Sequence, residues 1–230
     1  MKPSQRPPRA ASSLPDSLHR KLNMYTLAAS ATAVSALALA KPAEAKIIYT
    51  RTHMVIAGAE QYYLDLNHDK ITDFTIVNFS TTQCPDSCGE WLYLKPAAGN
   101  SEIGSVAQSG WHFAAAMKMG LAIGPKAHFL AGTGFMAAAF STQPSVGPWR
   151  NVTNRYLGLK FAIKGKTHYG WARLNVTTGG LGAFVATLTG YAYETIANKA
   201  IIAGKTKGTD VITVSDTASE SLGGLALGRK

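Results

Sequence analysis

The chain has 230 residues, enough for one domain with a substantial core. Only 16% of them are charged, 46% are hydrophobic and 22 are glycine, which excludes a disordered chain. The formal charge of +10 is partly local: residues 1–45 hold six Lys/Arg and two Asp/Glu, leaving 17 and 11 beyond, a net +6 spread without a basic patch, so no nucleic-acid partner is expected.

The N-terminus reads as a secretory signal peptide. Lys2, Arg6, Arg9, Arg20 and Lys21 form a basic region, and an apolar run from Met24 to Ala40 follows. Ala43 and Ala45 then supply small residues ahead of a cut before Lys46. The alternative is a retained signal anchor, but the run is short for a span and rich in alanine rather than leucine. The expected segments are a signal peptide over 1–45, a folded domain over 46–205 and a flexible tail with a short apolar stretch over 206–230. Any membrane contact is expected through the signal segment alone.

After Lys46 the apolar runs are short and alternate, as in KIIYT, THMVI, QYYLDL and DFTIVNF, each bounded by Gly, Asn, Asp or Pro. Between the last two lies a cluster of oxygen-bearing residues. With Asp65 at position 1 of a calcium loop, Asn67 falls at 3, Asp69 at 5, Ile71 at 7 and Asp73 at 9. Positions 1, 3 and 5 supply side-chain oxygens, 7 a backbone carbonyl, and 9 often a water-mediated contact, which suits a hard cation. The spacing predicts one structural Ca²⁺ held by Asp65, Asn67, Asp69, Ile71 and Asp73, with Leu66 and Ile71 anchoring the loop ends and His68 facing solvent. Position 6, usually glycine, is Lys70, where a left-handed backbone is costly. Position 12, usually a bidentate glutamate, is Ile76, which excludes a helix-flanked calcium sensor. The loop instead resembles the calcium loops on β-hairpins of integrin-type propellers. The competing reading is a metal-free acidic turn, since Asp and Asn also favour turns.

The only cysteines, Cys84 and Cys88, sit in CPDSC and read as a structural disulfide closing a tight loop. EWLYLK reads as the next strand. From 101 to 140 the pattern blurs: WHFAAAMKMG and GFMAAAF fit either a strand or a helical turn. The last third is clear. Leu157, Leu159, Phe161 and Ile163 alternate with Tyr156, Gly158, Lys160 and Ala162, and Lys164-Gly165 forms a two-residue turn into KTHYGWARLNV. AFVATLTGYAYET follows as a third long strand, with Gly190 as a bulge. Three such strands make an antiparallel meander. The fold class expected is all-β, an antiparallel jelly-roll-like sandwich with a calcium-type loop on one hairpin.

No nucleophile elbow occurs, and no H-x-x-x-H or H-x-H pair. Glu90 beside Trp91, and Glu194 beside Tyr191 and Tyr193, are the acids whose neighbours could form a sugar subsite, but each reads better as a charge beside a core aromatic. Of the four tryptophans, Trp149 in QPSVGPWRN is the one expected at the surface.

YYLDLNHDKITDF, YLGLKFAIKGKTHYGWARLNV, ATLTGYAYETIANKAIIAG and the terminal LGGLALG together resemble a family of uncharacterised secreted bacterial proteins related to those with PEP-CTERM sorting tails. The resemblance covers most of 46–228 and implies an exported β-sandwich-like domain, with no reaction attached. The tail departs from that pattern: it has no Pro-Glu-Pro box, and only Arg229-Lys230 follow its apolar stretch. The expectation is a non-enzymatic protein, secreted or bound to the cell envelope, facing extracellular polysaccharide or cell-surface components. The alternative is a carbohydrate-binding or carbohydrate-active secreted protein.

Overall fold

The computed structural model of the protein describes residues 46–81, 89–140, 145–178 and 183–215. The segment expected to be a signal peptide, the expected Cys84–Cys88 disulfide and the end of the tail lie outside them. The described residues form fourteen strands and no helix. In chain order these are β1 (Ile47–Ala57), β2 (Gln61–Leu64), β3 (Phe74–Thr81), β4 (Gly89–Pro96), β5 (Ser101–Val106), β6 (His112–Ala114), β7 (Ala122–Ile123), β8 (Phe129–Leu130), β9 (Gly134–Phe140), β10 (Val152–Ile163), β11 (Lys166–Thr178), β12 (Phe184–Glu194), β13 (Ile201–Ile202) and β14 (Val211–Ser215).

Eleven strands run in the order β14-β1-β12-β11-β10-β5-β6-β9-β4-β3-β2, with β8 added beside β5, and β7 pairs β13 in a separate two-stranded sheet. The long antiparallel meander of β10, β11 and β12 is present as its alternation predicts. Leu157, Leu159 and Phe161 enter the main core, while Tyr156 enters a second cluster on the other face. Lys164 and Gly165 both take positive φ (49° and 74°), the geometry whose twist matches a two-residue hairpin. Gly190 (φ 154°) borders the register shift in β12 where Thr189 is skipped, and a Cβ there would run into the Tyr49 ring.

The all-β expectation stands, but the wholly antiparallel pairing expected of the sandwich does not. One mixed sheet curls so that its two ends share a core. β6 pairs β9 in parallel through Phe113 and Phe135, and β14 runs parallel to β1. The main core therefore combines Phe74, Ile76, Leu92 and Leu94 from one end of the sheet with Leu174, Val176, Phe184 and Leu188 from the other. Direct bonds join the ends as well: Asn78 Nδ2 donates to Phe184 O (2.7 Å), and Phe184 N–H donates to Glu90 Oε1 (2.6 Å). On the outer face of β1 and β10–β12, Tyr49, Tyr156, Tyr169 and Trp171 are covered by Met117, Ile123, Ile201 and Ala203, forming the second cluster. β14 lies within the expected tail, so the sheet extends to Ser215, past the boundary drawn at residue 205.

Candidate functional site

The acidic loop joins β2 to β3. Leu64 and Phe74, which flank it, pair directly across the hairpin. Leu66 is fully buried in the main core and anchors one end, as expected. Ile71 does not anchor the other, since its side chain is 66% exposed. Asp73 fills that role through its backbone and its carboxylate. Its N–H donates to Leu64 O (2.9 Å), and its carbonyl accepts from Ala97 N–H (2.9 Å) and Asn100 Nδ2 (3.0 Å). Its Oδ2 accepts from Leu66 N–H (2.9 Å).

The other acids turn inward to the loop backbone. Asp65 accepts from Lys70 N–H (2.6 Å) and Asp69 N–H (3.3 Å), and Asp69 accepts from Ile71 N–H (2.9 Å) and Asn67 Nδ2 (2.9 Å). Two residues meet the wrap with a left-handed backbone, His68 (φ 60°) and Lys70 (φ 71°). Lys70 thus takes the conformation for which position 6 favours glycine. His68 is exposed, as expected, yet its ring is held in place. Its Nε2 lies 2.9 Å from the hydroxyl of fully buried Thr50, and its ring sits 5.8 Å from that of Tyr191. The loop therefore bridges the β2–β3 edge to β1 and β12. Its glycine-poor sequence gives no sign of that bridge, because the partners lie 18 and 123 residues from His68.

The electrostatics of the loop are one-sided. Burial pushes the Asp73 carboxyl up to about 6, and the charges of Asp65 and Asp69 push the same way, against hydrogen bonds from Leu66 N–H and Asn100. Burial also raises the Tyr193 hydroxyl, again with Asp65 and Asp69 adding to the shift. Among the described residues no group of three or more His, Cys, Asp or Glu is arranged to hold a metal ion. The donor types nevertheless suit a hard cation. Each carboxylate carries lone pairs beyond those used by amides, and Asn67 Oδ1 is buried without a partner.

A second feature is absent from the sequence reading. On the outer face of β3, β4, β9 and β6, aromatic rings form a ladder. Phe79 lies 5.8 Å from Trp91, which lies 6.0 Å from Phe140. Tyr93 lies 6.2 Å from Phe135, which lies 4.7 Å from Trp111. Phe79 is 45% exposed and the other five rings are half-buried. Beside the ladder, on the same face, Gln61, Tyr63, Thr75 and Lys95 line a shallow groove of about 430 Å³. Trp149 is not part of this surface. It is fully buried, with its indole N–H donating to Ala114 O (2.9 Å). The Pro/Gly-rich context that pointed outward instead turns the ring into the core.

The two glutamates weighed for a sugar subsite are both structural. Glu90 caps Phe184 N–H, and buried Glu194 accepts from Ile196 N–H (3.1 Å) and pairs with Lys199 (3.4 Å). No family model, curated protein or solved structure matches the chain.

Proposed function

We propose that this is an exported, non-enzymatic β protein of the cell envelope or extracellular matrix, with one structural calcium ion in the loop of Asp65, Asn67, Asp69, Ile71 and Asp73. The signal pattern and the resemblance to secreted bacterial proteins support export. The observation that carries the calcium reading is the crowding of the Asp65 and Asp69 carboxylates beside buried Asp73, with no cationic side chain bonded to the three among the described residues and Asn67 Oδ1 unpartnered. A divalent ion would offset that repulsion, while Asp65, Asp69 and Asp73 would hold it and Asn67 would turn its carbonyl toward it. The ion would supply charge compensation and rigidity, with no part in a reaction. Because His68 ties the loop to Thr50, stiffening it would stabilise the curled sheet at its open edge. A face-to-face, sandwich-like relation of the two ends of the sheet belongs to the same reading.

The test is thermal unfolding of the full chain in millimolar calcium and in chelator. A Kd of about 10⁻⁴ to 10⁻³ M is expected. Calcium at thirty times Kd would then add about 2 kcal/mol of stability. Unchanged melting would remove the metal from the reading.

The second reading is carbohydrate binding through the outer aromatic face, and the ring ladder beside the Tyr63–Lys95 groove favours it. Half-exposed rings can stack on sugar faces, while Gln61, Thr75 and Lys95 offer polar partners to hydroxyls or carboxylates. A Trp91→Ala variant that binds a glycan array as the parent does would refute this face as the binding surface.

A further inference from the structure

Glu102 is the most deeply buried acid in the described chain, with no exposed surface. It lies on β5 opposite Leu159 of β10 and Leu130 of β8, so its carboxyl shares the face of Leu159 and points into the main core. Its Oε1 lies 3.1 Å from His112 Nε2 on β6. That separation suits a hydrogen bond, but the geometry is poor: neither carboxyl oxygen, nor Nε2, makes a well-formed bond among the described residues. The wall on the third side is Gly134 of β9, where a Cβ would collide with Oε1.

The pair occupies the narrowest part of the sheet. β10 pairs β5 through two residues only, Leu159 with Glu102 and Lys160 with Ser101. β6 pairs β9 through Phe113 and Phe135 alone. In the order of strand pairing, the half of the sheet from β10 to β14 meets the half from β9 to β2 at this seam, and Glu102 and His112 lie within it.

The charged and titratable neighbours are few. From β10, Lys160 turns to the outer face, over the Phe129 ring at 5.2 Å. From the loop before β8, His128 Nδ1 lies 3.3 Å from Gly104 O. β8 and β9 present Leu130 and Gly134, and β6 presents His112 and Ala114. Among the described residues, His112 is therefore the one ionisable side chain facing the carboxyl.

We propose that Glu102 and His112 hold a single proton between them and form a pH-sensitive clasp across the seam of the sheet. In this arrangement the Glu102 hydroxyl donates to His112 Nε2, and the imidazole proton resides on Nδ1. Both groups are then neutral, the form that burial without further partners favours. Loss of the proton leaves a carboxylate in the core with no cation, and the seam loosens.

The directions of the two titrations agree with this. Burial pushes Glu102 up from 4.5 to about 8 and lowers His112 from 6.5. In the unfolded chain between pH 4.5 and 6.5 the pair also carries one proton, on the histidine, so folding and pH are uncoupled there. From pH 6.5 to about 8 the folded pair keeps its proton and the unfolded pair has lost it, so stability falls as pH rises through that window.

The experiment is urea unfolding of the full chain from pH 5 to 9, with hydrogen exchange read on the β5 and β6 amides, for the parent and Glu102→Gln. The parent folding constant should fall by up to roughly thirtyfold between pH 6.5 and 8, with faster opening at the seam. Glu102→Gln retains a donor toward Nε2 and should lack that dependence. A flat parent curve in the window, or the same slope in the variant, would overturn the clasp. Should the variant not fold, the ¹⁵N shifts of His112 in the parent decide: an unprotonated Nε2 at pH 7 supports the shared proton, and a protonated Nε2 refutes it.

Discussion

Replacing Lys70 with glycine isolates the backbone cost of the acidic loop. Lys70 sits at φ 71° and its side chain is exposed, with no hydrogen bond or ion pair among the described residues, while its N–H bond to Asp65 survives the change. A left-handed non-glycine residue costs about 1–2 kcal/mol. The added freedom of glycine in the unfolded chain opposes this by about 0.5–1 kcal/mol. Lys70→Gly should therefore stabilise the apo protein by about 0.5–1 kcal/mol, or roughly 1–4 °C in Tm for a chain of this size. His68→Gly relieves the same kind of strain at φ 60° and should nevertheless destabilise, because it strips the partner from the buried Thr50 hydroxyl and the ring from Tyr191. An unsatisfied buried hydroxyl costs about 1–3 kcal/mol. Urea unfolding of both variants in chelator measures the two effects. A destabilised Lys70→Gly, or a stabilised His68→Gly, would refute the division of the loop into a strained exposed residue and a strained anchoring one.

Asp73 gives the loop its own pH dependence. Its carboxyl is raised from 3.8 to about 6, so in chelator its contribution to stability should be full below about 3.8 and lost as pH rises through 6. Protons and calcium would then compete, and calorimetric titration should show calcium affinity falling as pH drops below 6. Trp149→Phe removes the bond to Ala114 O and leaves a cavity in the main core, with an expected loss of about 2–4 kcal/mol by urea unfolding.

The legible parts of the fold were those whose two faces meet different partners. Along 156–163 the main core takes one set of side chains and the second cluster takes Tyr156, so the alternation stands out. Lys164-Gly165 and Gly190 were legible because a turn and a bulge make local demands on the backbone. The parallel pairs of β6 with β9 and β14 with β1 were not, since a strand of three or five residues carries no sign of its neighbour. In the loop the spacing of Asp65, Asn67, Asp69 and Asp73 was plain, as was the exposure of His68, but the outward turn of Ile71 and the contact of His68 with Thr50 depend on distant residues. Trp149 misled because its proline- and glycine-rich surroundings resemble an exposed loop. Glu102 and His112 were silent: an acid between Ser101 and Ile103 looks like any charge on an edge strand.

The position of β1 sets the order in which the molecule can be completed. Its two neighbours are β12 and β14, both near the far end of the chain. A ribosome adding about 5–20 residues per second needs on the order of ten seconds to pass from the first strand to its first partner. Until then both edges of an eleven-residue strand are bare, open to pairing with other chains. A nascent chain of this topology can pair β2, β3, β4 and β9 as they appear, but it cannot place β1. It completes its sheet only when the last strands are made.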